Sequence, residues 1–312
     1  MDIKKVSVAG GGVLGSQIAF QTAFKGFDVI VWLRSEASIE RAKPKFERLK
    51  GIYLNTLEAW KTNPAAYCRG FSDDKTLSSD RIDKLKEQTR KAFDSIKYTT
   101  SYEEAFSDAD LIIESIAENP KEKIAFYTEA AKVLSEKTII VTNSSTMLPS
   151  TFAEYTGRPE KYLALHFANE IWRNNTAEIM GHAGTDPKYP GIISEFALAI
   201  GMVPLMLKKE QPGYLLNSLL VPFLYAAEAL LANDVSDPET IDKTWMLATG
   251  APAGPFRILD VVGLTTAYNI VIMDPAASDP TSTAGKIAAM LKEYIDAGKT
   301  GINAGEGFYK YK

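Results

Sequence analysis

Short apolar runs alternate with longer amphipathic stretches through the first two thirds of the chain. The runs are rich in β-branched residues and have the length of buried strands: "KKVSVAG", "DVIVWL", "ADLIIESI", "KTIIVTNS", "YLALHF" and "VPLMLK". Helical patterns such as "NPKEKIAFYTEAAKVLSE" lie between several of them. This alternation predicts an α/β fold with a doubly wound, mainly parallel sheet that carries helices on both faces.

Two regions depart from this alternation. Residues 36–98 hold the helical patterns "RAKPKFERLKGIYLNTLEAWK" and "SSDRIDKLKEQTRKAFDSI", which predict a helical excursion from the sheet. After "LKKEQPGY" the strand pattern stops, and we predict helices at 213–233, 237–249, 255–274 and 284–298. The sequence therefore predicts a sheet domain over residues 1–208 and an all-α domain over residues 209–312.

Composition narrows the class of protein. The 312 residues are 46% hydrophobic and 24% charged, as in ordinary globular proteins, and the net charge of −4 gives no electrostatic case for nucleic acid or membrane binding. Cys68 is the only cysteine, which suits a reducing compartment. The first strand leaves no room for a signal peptide, and the apolar stretch 215–232 contains Asn217 and Glu228, so we read it as a buried helix. We expect a cytoplasmic protein.

A glycine-rich loop follows the first strand. In "VSVAGGGVLGSQIAF", Gly10 permits a tight turn, Gly12 lets a pyrophosphate approach the backbone, and Gly15 lets the next helix pack closely on the strand. Val13 and Leu14 open that helix, whose N-terminus favours phosphate charge. A lone loop of this kind could be an ordinary turn, but its place between strand and helix predicts a Rossmann-type dinucleotide site.

The second strand ends without the acidic residue that usually binds the ribose 2′-hydroxyl of NAD. Leu33 stands in its place, followed by Arg34 and Ser35. Leucine cannot bind the diol, whereas arginine can pair with a 2′-phosphate. Alternatively, Arg34 is solvated and Glu36 binds the ribose. The residues thus predict NAD or NADP as cofactor and favour NADP.

Candidate catalytic residues follow two later strands. His166 and, twelve positions on, Glu178 lie in "LALHFANEIWRNNTAEIM", where a carboxylate on one ring nitrogen would let the other act as a base. Asn143 and Ser145 lie between a predicted strand and "TMLPSTF". The Ser145 hydroxyl could donate a hydrogen bond to the substrate, and Asn143 could contact the cofactor. Each has a structural alternative, such as a loop or capping role. His182 is given no function, and no metal-ligand cluster is evident.

These motifs together resemble the 3-hydroxyacyl-CoA dehydrogenases, which include the 3-hydroxybutyryl-CoA dehydrogenases. The likeness spans the glycine loop, "HFAN", "QPGYLLNSLLVPFLYAAEAL", "ATGAPAGPFRILDVVGL" and "GKTGINAGEGFYKY". The resemblance implies that His166 is the catalytic base, Glu178 its partner, and Ser145 and Asn217 substrate contacts. It also places Glu118 and Lys123 near the cofactor and implies a homodimer formed through the second domain.

The loop after the histidine departs from the family pattern. Glu170 replaces a proline and Ala168 an aromatic residue, and the following "WRNN" is mostly polar. We therefore expect a short-chain 3-hydroxyacyl-CoA substrate, or alternatively a CoA-free 3-hydroxy acid such as a sugar acid or a carnitine-like compound. Lys43, Lys45, Arg48 and Lys50 could bind CoA phosphates or form a solvated helix face. A non-catalytic dinucleotide-binding protein is a third alternative.

Overall fold

The computed structural model describes residues 3–311, which form eight strands and eleven α-helices. The strands are β1 Lys5–Ala9, β2 Asp28–Trp32, β3 Lys97–Thr99, β4 Leu111–Glu114, β5 Ile139–Thr142, β6 Tyr162–Phe167, β7 Thr176–Met180 and β8 Val203–Met206. The helices are α1 Val13–Phe24, α2 Glu36–Trp60, α3 Ser79–Ser95, α4 Tyr102–Phe106, α5 Pro120–Ala130, α6 Lys188–Ala199, α7 Leu216–Ala232, α8 Pro238–Thr249, α9 Pro255–Val262, α10 Leu264–Val271 and α11 Thr283–Asp296.

The strands form one sheet in the order β3-β2-β1-β4-β5-β6-β7-β8. All pairs are parallel except β6 and β7, which are antiparallel. Apolar clusters cover both faces of the sheet, one formed with α1, α2, α3 and α6 and the other with α4 and α5. The predicted doubly wound, mainly parallel α/β sheet is confirmed, and its buried strands are apolar because both faces are covered.

Two strands and one helix break were not predicted. β3 has only three residues, and β7 contains the polar residues Thr176 and Glu178 within an alternating pattern. The helix that we predict at 255–274 is two helices, α9 and α10. They are separated at Gly263, whose φ of 92° interrupts the helical backbone.

The chain divides into two compact units, one ending at Leu215 and one beginning at Leu216. The second unit contains α7 to α11 around its own apolar cluster, as expected for an all-α domain. The boundary that we predict between residues 208 and 209 stays a prediction. Among residues 3–311, no helix is both long and apolar enough to cross a membrane.

The predicted excursion contains α2 and α3. Its aromatic side chains pack on α1: Tyr53 lies against Phe20 and Phe24 with ring centroids 4.8 and 5.5 Å apart. The buried hydroxyl of Tyr53 donates a hydrogen bond to the side-chain oxygen of Gln21. The side-chain nitrogen of Gln21 in turn donates to the Gly70 carbonyl. The excursion is thereby fixed to the helix that follows the glycine loop.

Candidate active site

Antiparallel pairing of β6 with β7 places His166 directly opposite Glu178. Side chains of directly opposed residues lie on the same face of a sheet. His166 Nδ1 and Glu178 Oε2 are 2.9 Å apart, and both residues are almost fully buried. A carboxylate at this distance favours the tautomer with the proton on Nδ1, which leaves Nε2 as a proton acceptor.

Ser145 lies in the loop after β5, next to β6 in the sheet. Its hydroxyl oxygen is 3.2 Å from His166 Nε2. This part of the sheet is the carboxyl edge of β5 and β6, where open α/β sheets bind their ligands. The structure therefore brings three of the four predicted catalytic residues together: Ser145, His166 and Glu178.

Glu118 fixes the loop that carries Ser145. Its carboxylate accepts hydrogen bonds from the Ser144 hydroxyl at 2.8 Å, the Ser145 backbone N–H at 3.2 Å and the Thr146 hydroxyl at 3.2 Å. Its place beside the cofactor stays a prediction, and the contacts that the structure shows hold the serine loop. No sequence signal linked Glu118 to this loop, because the two segments follow different strands.

Asn143 joins the ends of three neighbouring strands. Its side-chain oxygen accepts the backbone N–H of Phe167 at 3.1 Å, and its amide nitrogen lies 3.4 Å from the Ser115 hydroxyl. These contacts run from the end of β5 to the ends of β6 and β4. Asn143 thus ties the histidine strand to the strand edge beside the glycine loop.

Tyr214 is a neighbour of the histidine that sequence reasoning missed. Its ring stacks on the His166 imidazole, with centroids 4.3 Å apart and planes 9° apart. Its hydroxyl donates to the Ser144 carbonyl at 2.8 Å, and the next residue, Leu215, donates its backbone N–H to Glu178 Oε1 at 2.8 Å. A tyrosine after Gly213 in a turn gives no sequence signal for this position.

Asn217, the fourth predicted catalytic residue, lies in the first turn of α7 and belongs to the second unit. Its contribution to the site stays a proposal.

The glycine loop has the geometry that a dinucleotide needs. Gly10 has a φ of 111°, and a Cβ there would lie 2.4 Å from the Ser115 carbonyl oxygen. A Cβ on Gly15 would lie 2.4 Å from the Gly10 carbonyl oxygen. Gly12 has open space around it and caps α1, whose exposed first residue is Val13, with Leu14 half-buried. Bare backbone and a helix N-terminus therefore face outward together, which fits a pyrophosphate.

A cleft of about 730 Å³ opens beside this loop. Gly10 and Gly12 line it together with Leu33 and Arg34 after β2, and the aromatic side chains of Trp32, Tyr102 and Phe126 also line it. Three residues of α2 also line it: Ser38 and Arg41, which the sequence did not single out, and Lys45, which it named as a possible CoA contact. The residues present fit the adenosine half of a dinucleotide, which needs a flat apolar slot and a polar rim.

Two residues that we predict at the cofactor site make structural contacts, and their part in cofactor binding stays a prediction. Lys123 is fully buried, and its ammonium lies 2.6 Å from the Oε1 atom of Glu114, the last residue of β4. Lys123 does not line the cleft. Ser35 caps α2 by accepting the backbone N–H of Ser38. Glu36, the alternative ribose ligand, is exposed in the first turn of α2 and also does not line the cleft.

The loop after His166 is less polar in the structure than its composition indicates. Ile171 and Trp172 are buried, and the Trp172 ring lies 5.3 Å from that of Tyr53. The Trp172 carbonyl accepts the backbone N–H of Gly70, where a Cβ would clash with the Trp172 backbone. The excursion therefore anchors this loop, and Asn169, Glu170, Arg173 and Asn174 are its exposed part.

Comparison with known proteins identifies the class. Residues 5–211 match the family "3-hydroxyacyl-CoA dehydrogenase, NAD binding domain", and residues 213–311 match "3-hydroxyacyl-CoA dehydrogenase, C-terminal domain". A dinucleotide cleft beside a buried histidine–carboxylate pair is what such an oxidoreductase requires. The chain belongs to the 3-hydroxyacyl-CoA dehydrogenase family, and its cofactor is a nicotinamide dinucleotide.

Individual relatives span the whole chain. The mitochondrial hydroxyacyl-coenzyme A dehydrogenase of Homo sapiens is 29% identical over 99% of this chain and 92% of its own length. A probable 3-hydroxybutyryl-CoA dehydrogenase of Deinococcus radiodurans is 27% identical over 98% of this chain and 100% of its own. Among solved structures, a diketoreductase described for dual catalysis of dicarbonyl compounds is 47% identical with a TM-score of 0.84, and each chain is covered completely.

Proposed function

We propose that the protein interconverts a short-chain 3-hydroxyacyl-CoA and the corresponding 3-oxoacyl-CoA, with His166 as the general base and acid. The buried pair of His166 and Glu178 at 2.9 Å carries this proposal, because it supplies an oriented proton acceptor at the ligand edge of the sheet. A nicotinamide cofactor held in the cleft would supply the hydride acceptor for the oxidation and the hydride donor for the reduction. In the oxidation, Nε2 takes the substrate's hydroxyl proton and the Glu178 carboxylate favours the resulting imidazolium.

Ser145 and Asn217 are proposed as substrate contacts. The Ser145 hydroxyl lies beside Nε2, so it can donate to the oxygen that gains negative charge when a ketone is reduced. We propose that the side-chain amide of Asn217 donates a hydrogen bond to the same substrate. The support is the resemblance of "PGYLLN" to the family motif.

A dicarbonyl compound without CoA is the second candidate substrate. A diketoreductase is 47% identical to this chain, whereas the two CoA dehydrogenases named above are at most 29% identical. The basic residues 43–50 give little support for CoA binding. Lys43 and Lys50 pair with glutamates on their own helix, and Lys45 donates to the Gly11 carbonyl beside the cofactor cleft.

For the cofactor we propose NADP. Leu33 is apolar where an acidic residue would bind the ribose diol of NAD, and Arg34, Arg41 and Lys45, which also line the cleft, add positive charge. The carboxylate of Glu122 lies 3.5 Å from the guanidinium of Arg34. A bound 2′-phosphate would therefore compete with this exposed carboxylate for the arginine.

The test measures reduction of acetoacetyl-CoA and of ethyl acetoacetate, a CoA-free 1,3-dicarbonyl ester, with NADPH and with NADH. His166→Gln should lower kcat roughly 100-fold or more with either substrate, because a general base is lost. His182→Gln is the matched control, since this second histidine lies on an exposed loop and contacts the Pro159 carbonyl. Near-normal turnover by folded His166→Gln would contradict the proposal, and turnover of only the ester would favour the second substrate.

A further inference from the structure

The turn before α7 holds Tyr214 in an unusual backbone conformation. Tyr214 has a φ of 54°, a left-handed value that bulky side chains rarely adopt, and its backbone N–H donates to the Gln211 carbonyl. The residue is 1% exposed. Such backbone strain persists only where the surrounding structure fixes it, and it concentrates at functional sites.

Tyr214 contacts the site at two points. Its ring face covers the imidazole of His166 at 4.3 Å, and its hydroxyl donates to the carbonyl of Ser144, the residue before Ser145. The face of an aromatic ring carries negative charge density and attracts a cation placed over it. One side chain thus touches both the base and the loop that positions the neighbouring hydroxyl.

We propose that Tyr214 is a positioning residue that stabilises the imidazolium form of His166 through its ring and fixes Ser145 through its hydroxyl. The proposal rests on the proposed function, in which His166 takes the substrate proton. The ring favours the charged state formed in the oxidation. The hydroxyl keeps the serine loop at hydrogen-bond distance from Nε2.

The surroundings keep the tyrosine neutral. Burial, and then the carboxylates of Glu118, Glu178, Glu114 and Glu210, raise the pKa of Tyr214 far above its ordinary value of 10.0. The phenol therefore remains a hydrogen-bond donor at any working pH. Of these carboxylates, Glu178 contacts the imidazole directly and Glu118 holds the serine loop.

The experiment is an NMR titration of the histidine side chains in the full chain. Only two histidines are present, so a His182→Gln background leaves one signal, that of His166. In this background, Tyr214→Leu should lower the pH midpoint of that signal by about half to one unit, since a stacked cation–π contact is worth ~1 kcal/mol. Tyr214→Phe keeps the ring and should leave the midpoint in place. Tyr155→Leu, at an exposed tyrosine, is the control.

Kinetics give the second readout. Tyr214→Phe should lower kcat about 3- to 10-fold, the effect of one lost hydrogen bond, without moving the pH profile. Tyr214→Leu should also move the acid limb of kcat/KM for alcohol oxidation to lower pH, because the base then loses its proton more easily. A merely structural role would reduce turnover and leave the limb unmoved.

An unshifted His166 midpoint in folded Tyr214→Leu overturns the ring contribution, and wild-type turnover in Tyr214→Phe overturns the hydroxyl contribution. Should the leucine variant not fold, Tyr214→Met replaces it as a ringless side chain that adapts to the space. Failure of the proposed function is distinguishable, because it appears as turnover in His166→Gln, while the titration needs no turnover.

Discussion

At the scale of single residues, the proposed preference for NADP rests on the end of β2. Leu33 is buried and its side chain offers no hydrogen-bond acceptor, while the Arg34 side chain is 70% exposed and lines the cleft. Guanidinium binds phosphate through two parallel, charge-assisted hydrogen bonds, which are stronger than its hydrogen bonds to neutral hydroxyls. The discrimination between NADP and NAD is therefore expected to depend on the arginine more than on the leucine.

Arg34→Ser should raise the KM for NADPH about tenfold or more, because a charged hydrogen bond to phosphate contributes roughly 1.5–3 kcal/mol. The KM for NADH should change about twofold or less. Steady-state kinetics with both cofactors check this expectation. Lys43→Ser, on an exposed lysine of α2 outside the cleft, is the control. An equal effect of Arg34→Ser on both cofactors would argue against a 2′-phosphate contact.

At the scale of elements, α7 carries an acidic residue inside an apolar cluster. Glu228 is 3% exposed, and within the described residues its Oε1 atom has no hydrogen-bond partner. Burial raises the pKa of its carboxyl from 4.5 to about 7. The folded state thus holds this proton over a pH range in which the unfolded chain has lost it.

The contribution of the Glu228 carboxyl to the free energy of unfolding is fully present below pH 4.5 and is lost as the pH rises to about 7. The loss is at most about 3 kcal/mol, from the size of the pKa difference. Glu228→Gln mimics the protonated acid and should raise the Tm at pH 8 by several degrees, with little change at pH 4.5. Thermal unfolding at both pH values checks this, with the exposed Glu293→Gln as control. Parallel pH dependence in the wild type and Glu228→Gln would contradict it.

At the scale of the whole molecule, apolar surface is concentrated in the second unit. Among the described residues, its large exposed side chains include Leu219 at 75%, Leu247 at 77% and Met273 at 79% exposure. Where such side chains form a patch, it marks an interaction site. We propose a homodimer formed through this unit, as the family resemblance also implies.

Leu219→Glu should convert the dimer into a monomer, because a buried, unpaired carboxylate at an interface is strongly unfavourable. Light scattering coupled to size-exclusion chromatography measures the mass. Leu198→Glu, at a leucine of α6 that is 59% exposed in the first unit, should leave the dimer intact. A monomeric wild-type chain, or a dimeric Leu219→Glu variant, would overturn this assignment.

The sequence by itself determined the fold class, the six main strands and the glycine loop. The spacing of apolar residues, the positions of the glycines and the order of strands and helices can all be read from short stretches of the chain. It also indicated His166 and Glu178 through their resemblance to the family motif. It missed β7, since "TAEIM" mixes polar and apolar residues and becomes a strand only between β6 and β8.

Only the tertiary structure decided which side chains meet. The register of β6 against β7 sets the histidine–glutamate contact, and pairing between strands depends on the whole sheet. Tyr214 reaches His166 and Ser144 from 48 and 70 positions away along the chain. Such long-range contacts follow from packing, which no local pattern of residues encodes.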